Sequence, residues 1–392
     1  MEFRLRRQWL VPAWVGTVAA ATVLVAATPG VAAAAAVVDC SATAVDLGSL
    51  GGYYSEARAV NAAGTVVGFS TQDGMRQTRA VRWQDGTALS LGLLASDPTS
   101  VSYAVDINDR GQIAGYSGTD SGEYHAFRWQ AGTLTDLGTL GGTSSEPVGI
   151  SDAGAVAGNS DTAAGQWHGF WWANGRLGDL GTLGGDTTRV VAVNRRGQVA
   201  GTSTRADGQP APFRWQNGAL TDLGRLGATG EVVGLNDRGH VLLTTPTVTG
   251  NQLSIWRGVG DVVTVGFPVS GGLAVLNDAD QVLTRQLSAD GSTAPVLWDP
   301  SGTVRVLPAL DGGQAAPTSL NDRGQVAGSS IGPDAVSHAV VWENGVIVDL
   351  GTLGSYYGAA ASAVDNHGHV IGSHSAASEH HAVSWNTDRC TR

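Results

Sequence analysis

Five of the nine histidines stand close together near the C-terminus: His367, His369, His374, His380 and His381. Imidazole nitrogens hold a transition metal when several converge at about 2 Å from one point. His367 and His369 are the two whose spacing suits ligation. The others belong to different strands or loops, and purely structural histidines account for the crowd as well. Four of the seven tyrosines form two pairs, Tyr53-Tyr54 and Tyr356-Tyr357. Aromatic rings beside acids and amides stack on sugar faces, so these pairs are candidate ligand contacts. The alternative is that one ring of each pair packs beneath its own loop. Arg110, Arg196, Arg238 and Arg323 recur at one position of a repeated turn. There they are candidates for attracting an anion to the mouth of a channel, although the adjacent Asp109, Asp237 and Asp322 weaken the field and solvated turn residues are the plainer reading. No nucleophile elbow, His-Glu-x-x-His pair, phosphate loop or dinucleotide fingerprint is present. Scattered loop acids such as Asp73, Asp120 and Asp207 do not make a calcium loop. No catalytic residue and no cofactor is therefore expected.

The elements that would position these residues follow from a repeat. Tryptophans stand at 83, 129, 172, 215, 256, 298, 342 and 385, at intervals of 46, 43, 43, 41, 42, 44 and 43 residues. A period of this size means stacked copies of one supersecondary unit. Residues 58–92 show the content of a copy. Arg58–Asn61, Thr65–Ser70, Thr78–Trp83 and Ala88–Gly92 are short extended runs separated by Gly, Asn and Asp, which is a hairpin signature. No segment has the length and period of a helix. The first turn of each unit is Asn-x-x-Gly, as in Asn61/Gly64 and Asn194/Gly197, with Ser151/Gly154 and Asp365/Gly368 as equivalents. Asn, Asp and Ser bond the backbone two residues on, and Gly supplies positive φ. In unit six Asp280 stands where Gly is expected, and residues 222–305 match the pattern weakly. Four short antiparallel strands per copy predict an all-β fold, an eight-bladed β-propeller in which the Trp stripe packs blade on blade.

After Trp385 the chain lacks a fourth strand, while a stray copy of that strand, Ala44–Gly48, precedes the first unit. The leading strand is expected to complete the last blade (359–386) and remove the open seam. Cys40 and Cys390, the only cysteines, flank the two partners. A Cys40–Cys390 disulfide locking the closure is expected.

These motifs together, His125-Ala126-Phe127-x-Trp129, x-Asn-Gly, Asp-Leu-Gly-Thr-Leu-Gly-Gly and Asn-x-x-Gly, resemble the extracellular HAF-repeat family over residues 44–386. The resemblance implies an exported β-repeat protein and brings no established chemistry. The named His occurs at His125, His168, His338 and His381; Arg79, Ala211, Gln252 and Ala294 replace it elsewhere, which speaks against a catalytic column.

Residues 1–36 read as an export signal: Arg4, Arg6 and Arg7 precede an apolar run from Leu10 to Ala27 and a small-residue tract. The remainder, 37–392, is expected to be one domain, secreted or held at the cell surface, with no membrane segment after cleavage. Net charge is −11, with arginine but no lysine and no basic stretch, which argues against nucleic acid. Gly, at 56 residues, is about twice its usual frequency, as many tight turns require. The two short turns of each unit fall on one rim, and the longer, variable loops (71–77, 118–124, 161–167, 204–210 and 331–337) fall on the other. Variable loops on a rigid scaffold are where binding is expected. The expectation is a monomeric binding or scaffold protein for an extracellular glycan or protein, or else a polysaccharide hydrolase or lyase working in a central pocket.

Overall fold

In the computed structural model, residues 37–39, 44–72, 77–84, 86–354, 357–376 and 379–387 are described. The expected export signal, Cys40, Cys390 and Tyr356 lie outside them. The protein is all-β. Four-stranded antiparallel sheets follow one another along the chain, each made of consecutive strands. The sheet from Ser102–Ile107, Ile113–Gly118, Tyr124–Gln130 and Thr133–Gly138 is representative. Similar sheets occupy 51–92, 141–179, 184–222, 231–264, 269–306 and 315–351. Residues 222–305, weak in sequence, still form regular sheets. The last sheet has three strands of its own, Ala359–Val364, His369–Ser375 and His380–Asn386; its fourth is Val45–Gly48 from the N-terminus. That strand runs antiparallel to the third, Val45 opposite Ser384 and Asp46 opposite Val383. The strand Val37–Asp39, which the repeat does not foretell, pairs in parallel with Val346–Gly351 of the preceding sheet.

The architecture is propeller-like. First strands of successive sheets pack side by side, and that of the last sheet packs beside that of the first. The core sits between sheets, as the Trp stripe predicts. Ala80, Leu91 and Val67 of one sheet meet Ile113, Phe127 and Trp129 of the next. The same arrangement brings Leu47 of the closing strand, with Ala382 and Ile371, against Trp83, Val81 and Val66.

Two columns of the repeat bind sheet to sheet. The residue before the Trp reaches over the next sheet's indole: the Arg82, Arg128 and Arg214 guanidinium carbons stand 5.0, 4.6 and 5.1 Å from the ring centres of Trp129, Trp172 and Trp256. Such cation–π contacts contribute about 0.5–2 kcal/mol each. Trp171 takes the position in its sheet and packs 4.9 Å from Trp215. The turn asparagines form the second column. Asn61 Nδ2 donates to the Asn108 carbonyl, Asn108 to Ser151, Asn194 to Asn236, Asn236 to Asn277, Asn277 to Asn321 and Asn321 to Asp365. Each Asn thus shapes its own turn through Oδ1 and grips the next turn through Nδ2.

One recurring residue of the repeat and one departure from it have local reasons. Gly201 is needed because a Cβ there would collide with the Arg189 carbonyl oxygen of the first strand. Asp280 adopts the left-handed φ of 60° that Gly has elsewhere. Asp tolerates that region better than most residues, and here it is further held by partners. Its carboxylate lies 2.7 Å from His240 Nδ1 and 2.9 Å from Arg257 Nε, and accepts from Asn236 Nδ2 at 3.0 Å.

Candidate functional site

The turns lead into a cavity of about 300 Å3 enclosed by the first strands. Asp109, Asp152, Asp237, Asp278 and Asp322 line it, and Arg195 is the one basic residue among the lining groups. The side chains facing the cavity therefore belong to the position before the arginines singled out from sequence. Arg110, Arg196, Arg238 and Arg323 are exposed and do not line it. Arg110 and Arg238 sit in the turn with their N–H donated to the Asn side chain, as does Arg323, whose guanidinium also reaches Gln325. The mouth is acidic, which does not suit an anion.

Four of these carboxylates have structural partners. Asp109 accepts the Ala62 N–H, Asp237 that of Arg195, Asp278 that of Asp237, and Asp322 that of Asp278. Each carboxylate thus reaches back to the preceding turn. Arg195 adds a clasp, 3.4 Å from Asp109 and 3.9 Å from Asp237. Burial raises Asp237 and Asp278 above the usual carboxylate range, against the N–H donors that lower them. Burial raises Asp106 as well, although the N–H groups of Ile150 and Ile107 donate to it.

The His-Ala-Phe histidine has a partner one strand away. His125 Nδ1 lies 3.0 Å from Asp136, His168 Nδ1 2.7 Å from Asp179 and His338 Nδ1 2.9 Å from Asp349. The Asp is that of Asp-Leu-Gly, and its other task is to accept the N–H of the following Gly, as at Gly138 and Gly181. In the last sheet the Asp comes from the closing strand: His381 Nδ1 lies 3.1 Å from Asp46. Where the His is replaced by Ala211, Asp222 pairs with Arg205 instead, at 2.7 Å. The column fastens the outer hairpin.

The tyrosines divide. Tyr53 and Tyr357 are more than half exposed. Tyr54 is not: its ring stacks on His380 at 4.7 Å and on Phe69 at 5.8 Å, and its hydroxyl donates to Glu56 at 2.8 Å. Burial, together with Glu56, pushes its phenol up to about 12. Tyr54 also pairs by backbone with His380, so first and last sheets meet there. From Phe69 the series continues through Tyr103 (5.1 Å), Tyr116 (5.1 Å) and Tyr124 (6.1 Å). Six rings from three sheets form one band, with Arg58 over Phe69 at 5.4 Å. Burial, Tyr103 and Glu146 push the Tyr116 phenol up to about 12. Tyr103, Tyr116 and Tyr124 stand on three successive strands of one sheet, and sequence reading passed over them. The available signal was that Phe69 and Tyr116 share a column that is small or polar in most other sheets.

His367 and His369, the metal candidates from sequence, surround Asp365 in a turn. His369 Nδ1 is 2.8 Å and His367 Nδ1 3.8 Å from the same carboxylate oxygen. The His369 ring also lies beside Gly64 of the first sheet. The structure joins a different set, Asp46, His374 and His381.

No family profile matches the chain, and no curated protein matches it. Solved structures similar to it are β-propellers or contain one. The propeller domain of the Trilobed protease from Pyrococcus furiosus, with an open velcro topology, aligns at a TM-score of 0.49 and 12% identity over 77% of this chain and 99% of that one. A Mycobacterium tuberculosis puromycin-hydrolyzing peptidase aligns at 0.43 and 14% identity over 71% of this chain and 47% of its own, so this chain spans about half of that protein. Oligogalacturonate lyase in complex with manganese aligns at 0.44 and 11% identity, over 71% and 86%.

Proposed function

We propose that the protein is an exported binding protein: a closed, eight-bladed β-propeller of the HAF-repeat type that recognises an extracellular glycan through its aromatic band. The observation that carries this is the run of six rings, His380–Tyr54–Phe69–Tyr103–Tyr116–Tyr124, crossing three sheets. The C–H faces of sugar rings stack on aromatic faces. Glu56, Arg58 and Glu146, beside the band, supply acceptors and donors for hydroxyl groups. In this reading residues 1–36 are removed on export, Cys40 and Cys390 form a disulfide, and the mature protein is a monomer outside the cell. A polysaccharide hydrolase or lyase is the second reading, favoured by the convergence of carboxylates with raised proton affinity in the central cavity. Against it, those carboxylates are engaged with backbone N–H groups of neighbouring turns.

A glycan array and cell-wall polysaccharide pull-down, with turnover assayed on the same samples, tests the proposal. Wild-type protein should retain a glycan. Tyr103→Ala with Tyr116→Ala should weaken retention at least tenfold, while Tyr53→Ala with Tyr357→Ala reports whether the exposed rim tyrosines extend the surface. Glycan retention unchanged by loss of Tyr103 and Tyr116 would remove the band from the site. Turnover abolished by Asp106→Asn would favour the enzyme.

A further inference from the structure

The last sheet departs from the repeat at one strand position. Elsewhere that position is most often Ser: the hydroxyls of Ser70, Ser117, Ser160, Ser203 and Ser330 accept the N–H of Leu50, Leu94, Leu140, Leu183 and Leu310 in the links. In the last sheet it is His374, directly opposite His381 on the neighbouring strand. The ordinary His–Asp pair of the repeat thus gains a second imidazole here. His374 Nε2 lies 3.4 Å and His381 Nδ1 3.1 Å from one and the same oxygen of Asp46. The three ligand atoms all fall within 4.8 Å of one another, and the two imidazole planes meet at 77°.

We propose that Asp46, His374 and His381 form a site for a divalent transition metal ion of the Zn2+ type, which ties the N-terminal strand to the last sheet. Tetrahedral zinc with bonds of about 2.0–2.1 Å separates its ligand atoms by roughly 3.3 Å. The His374–Asp46 and His381–Asp46 separations already bracket that value; the two nitrogens lie within 4.8 Å of each other and would settle to the same spacing on binding. Two neutral imidazoles and a carboxylate are a borderline-hard donor set suited to zinc. Glu379 lies 3.8 Å from the far nitrogen of His381, beyond hydrogen-bond distance; a short shift of its side chain on binding would let the carboxylate orient the imidazole and increase its basicity. Among the described residues His374 Nδ1 has no hydrogen-bond partner, so Asp46 is the only group that engages this ring by hydrogen bond. The three other pairs of the repeat, His125–Asp136, His168–Asp179 and His338–Asp349, face Ser117, Ser160 and Ser330 across the strand and have no second imidazole.

The test is titration of the purified protein with ZnCl2 by calorimetry, with Co2+ absorption to report the ligand field. The expected result is one saturable site with a Kd of about 1 μM or tighter, a thermal midpoint raised by about 3–5 °C in excess zinc, and reversal by EDTA. His374→Ser restores the residue that most other sheets carry, so it should fold normally; it should weaken zinc binding at least tenfold and abolish the thermal shift. Asp46→Asn should do the same, and His367→Ala with His369→Ala should leave binding unchanged. Absence of saturable binding in the folded wild-type protein, or a His374→Ser protein that binds zinc as the wild type does, would overturn the proposal.

Discussion

Replacing Leu47 by Ala asks whether the borrowed strand is part of the cooperative structure. Leu47 occupies the same column as Leu137, and the two are 6% and 5% exposed. Leu47 packs among Trp83, Val81, Val66, Ile371 and Ala382; Leu137 packs among Trp172, Phe170, Val156, Ile150 and Ala126. The change removes three carbons, worth about 2.4 kcal/mol at roughly 0.8 kcal/mol per buried methylene. Residual cavity adds to this, so about 2.5–4 kcal/mol is expected for either residue. Equilibrium unfolding in urea followed by tryptophan fluorescence, with wild type, Leu47→Ala and Leu137→Ala side by side, gives the comparison. The two variants should lose stability equally, within about 0.5 kcal/mol. Were the N-terminal strand only a loosely laid tail, Leu47→Ala would be close to neutral while Leu137→Ala kept its full cost. That outcome would refute closure by strand exchange.

The turn asparagines should show two separable roles. Asn194→Ser, the residue that Ser151 already supplies in its own turn, keeps an acceptor that shapes the turn but loses the donor to the Asn236 carbonyl, and should cost about 1–2 kcal/mol; Asn194→Ala loses both and should cost more, as chemical denaturation will show. His338 is held above its ordinary value: burial opposes its charged form, but hydrogen bonds and charge from Asp349 and Asp334 prevail. A raised histidine contributes stability that is complete below about pH 6.5 and is lost as pH rises through the folded value. The thermal midpoint of His338→Asn should therefore fall short of wild type most at acidic pH and converge with it on the alkaline side. Tyr54→Phe and Tyr116→Phe should each remove one phenol from the late step, near pH 12, of an ultraviolet titration; loss of an earlier-titrating phenol in either variant would show that its ring is not buried in the band.

Much of the architecture can be read from spacing because each repeat carries its own turn chemistry. Asn108 and Gly111 announce a turn, Phe127 and Trp129 announce a buried face, and the stray Val45–Gly48 strand has one vacant place to go. The partners of the polar columns are harder to see. His125 and Asp136 are eleven residues apart, and nothing local says they touch; only their joint absence from several units hints at it. Arg82 is hydrophilic in sequence, yet its position over Trp129 is fixed by how one sheet leans on the next. The aromatic band and the Asp46–His374–His381 cluster depend on residues from separate sheets or from opposite ends of the chain. The cluster has no linear signature, and the band has only the aromatic column shared by Phe69 and Tyr116. Arg110, Arg196, Arg238 and Arg323 fall one residue past the positions that line the cavity, a placement decided by the turn's backbone and not by residue type.

The hand-to-hand bonding of the turn asparagines has an implication for how such a chain grows. Every ordinary turn carries both a donor for its successor and an acceptor for its predecessor, so a duplicated segment would arrive already compatible with both neighbours. Ser151 and Asp365 break this symmetry: the Ser151 hydroxyl accepts the Ala155 N–H of its own turn, and the Asp365 carboxylate has no hydrogen to offer, so the first turn meets it through the His369 ring beside Gly64 instead. Gain or loss of copies is therefore chemically easy between asparagine turns and constrained at those two joins, at the second of which the two ends of the polypeptide must still find each other.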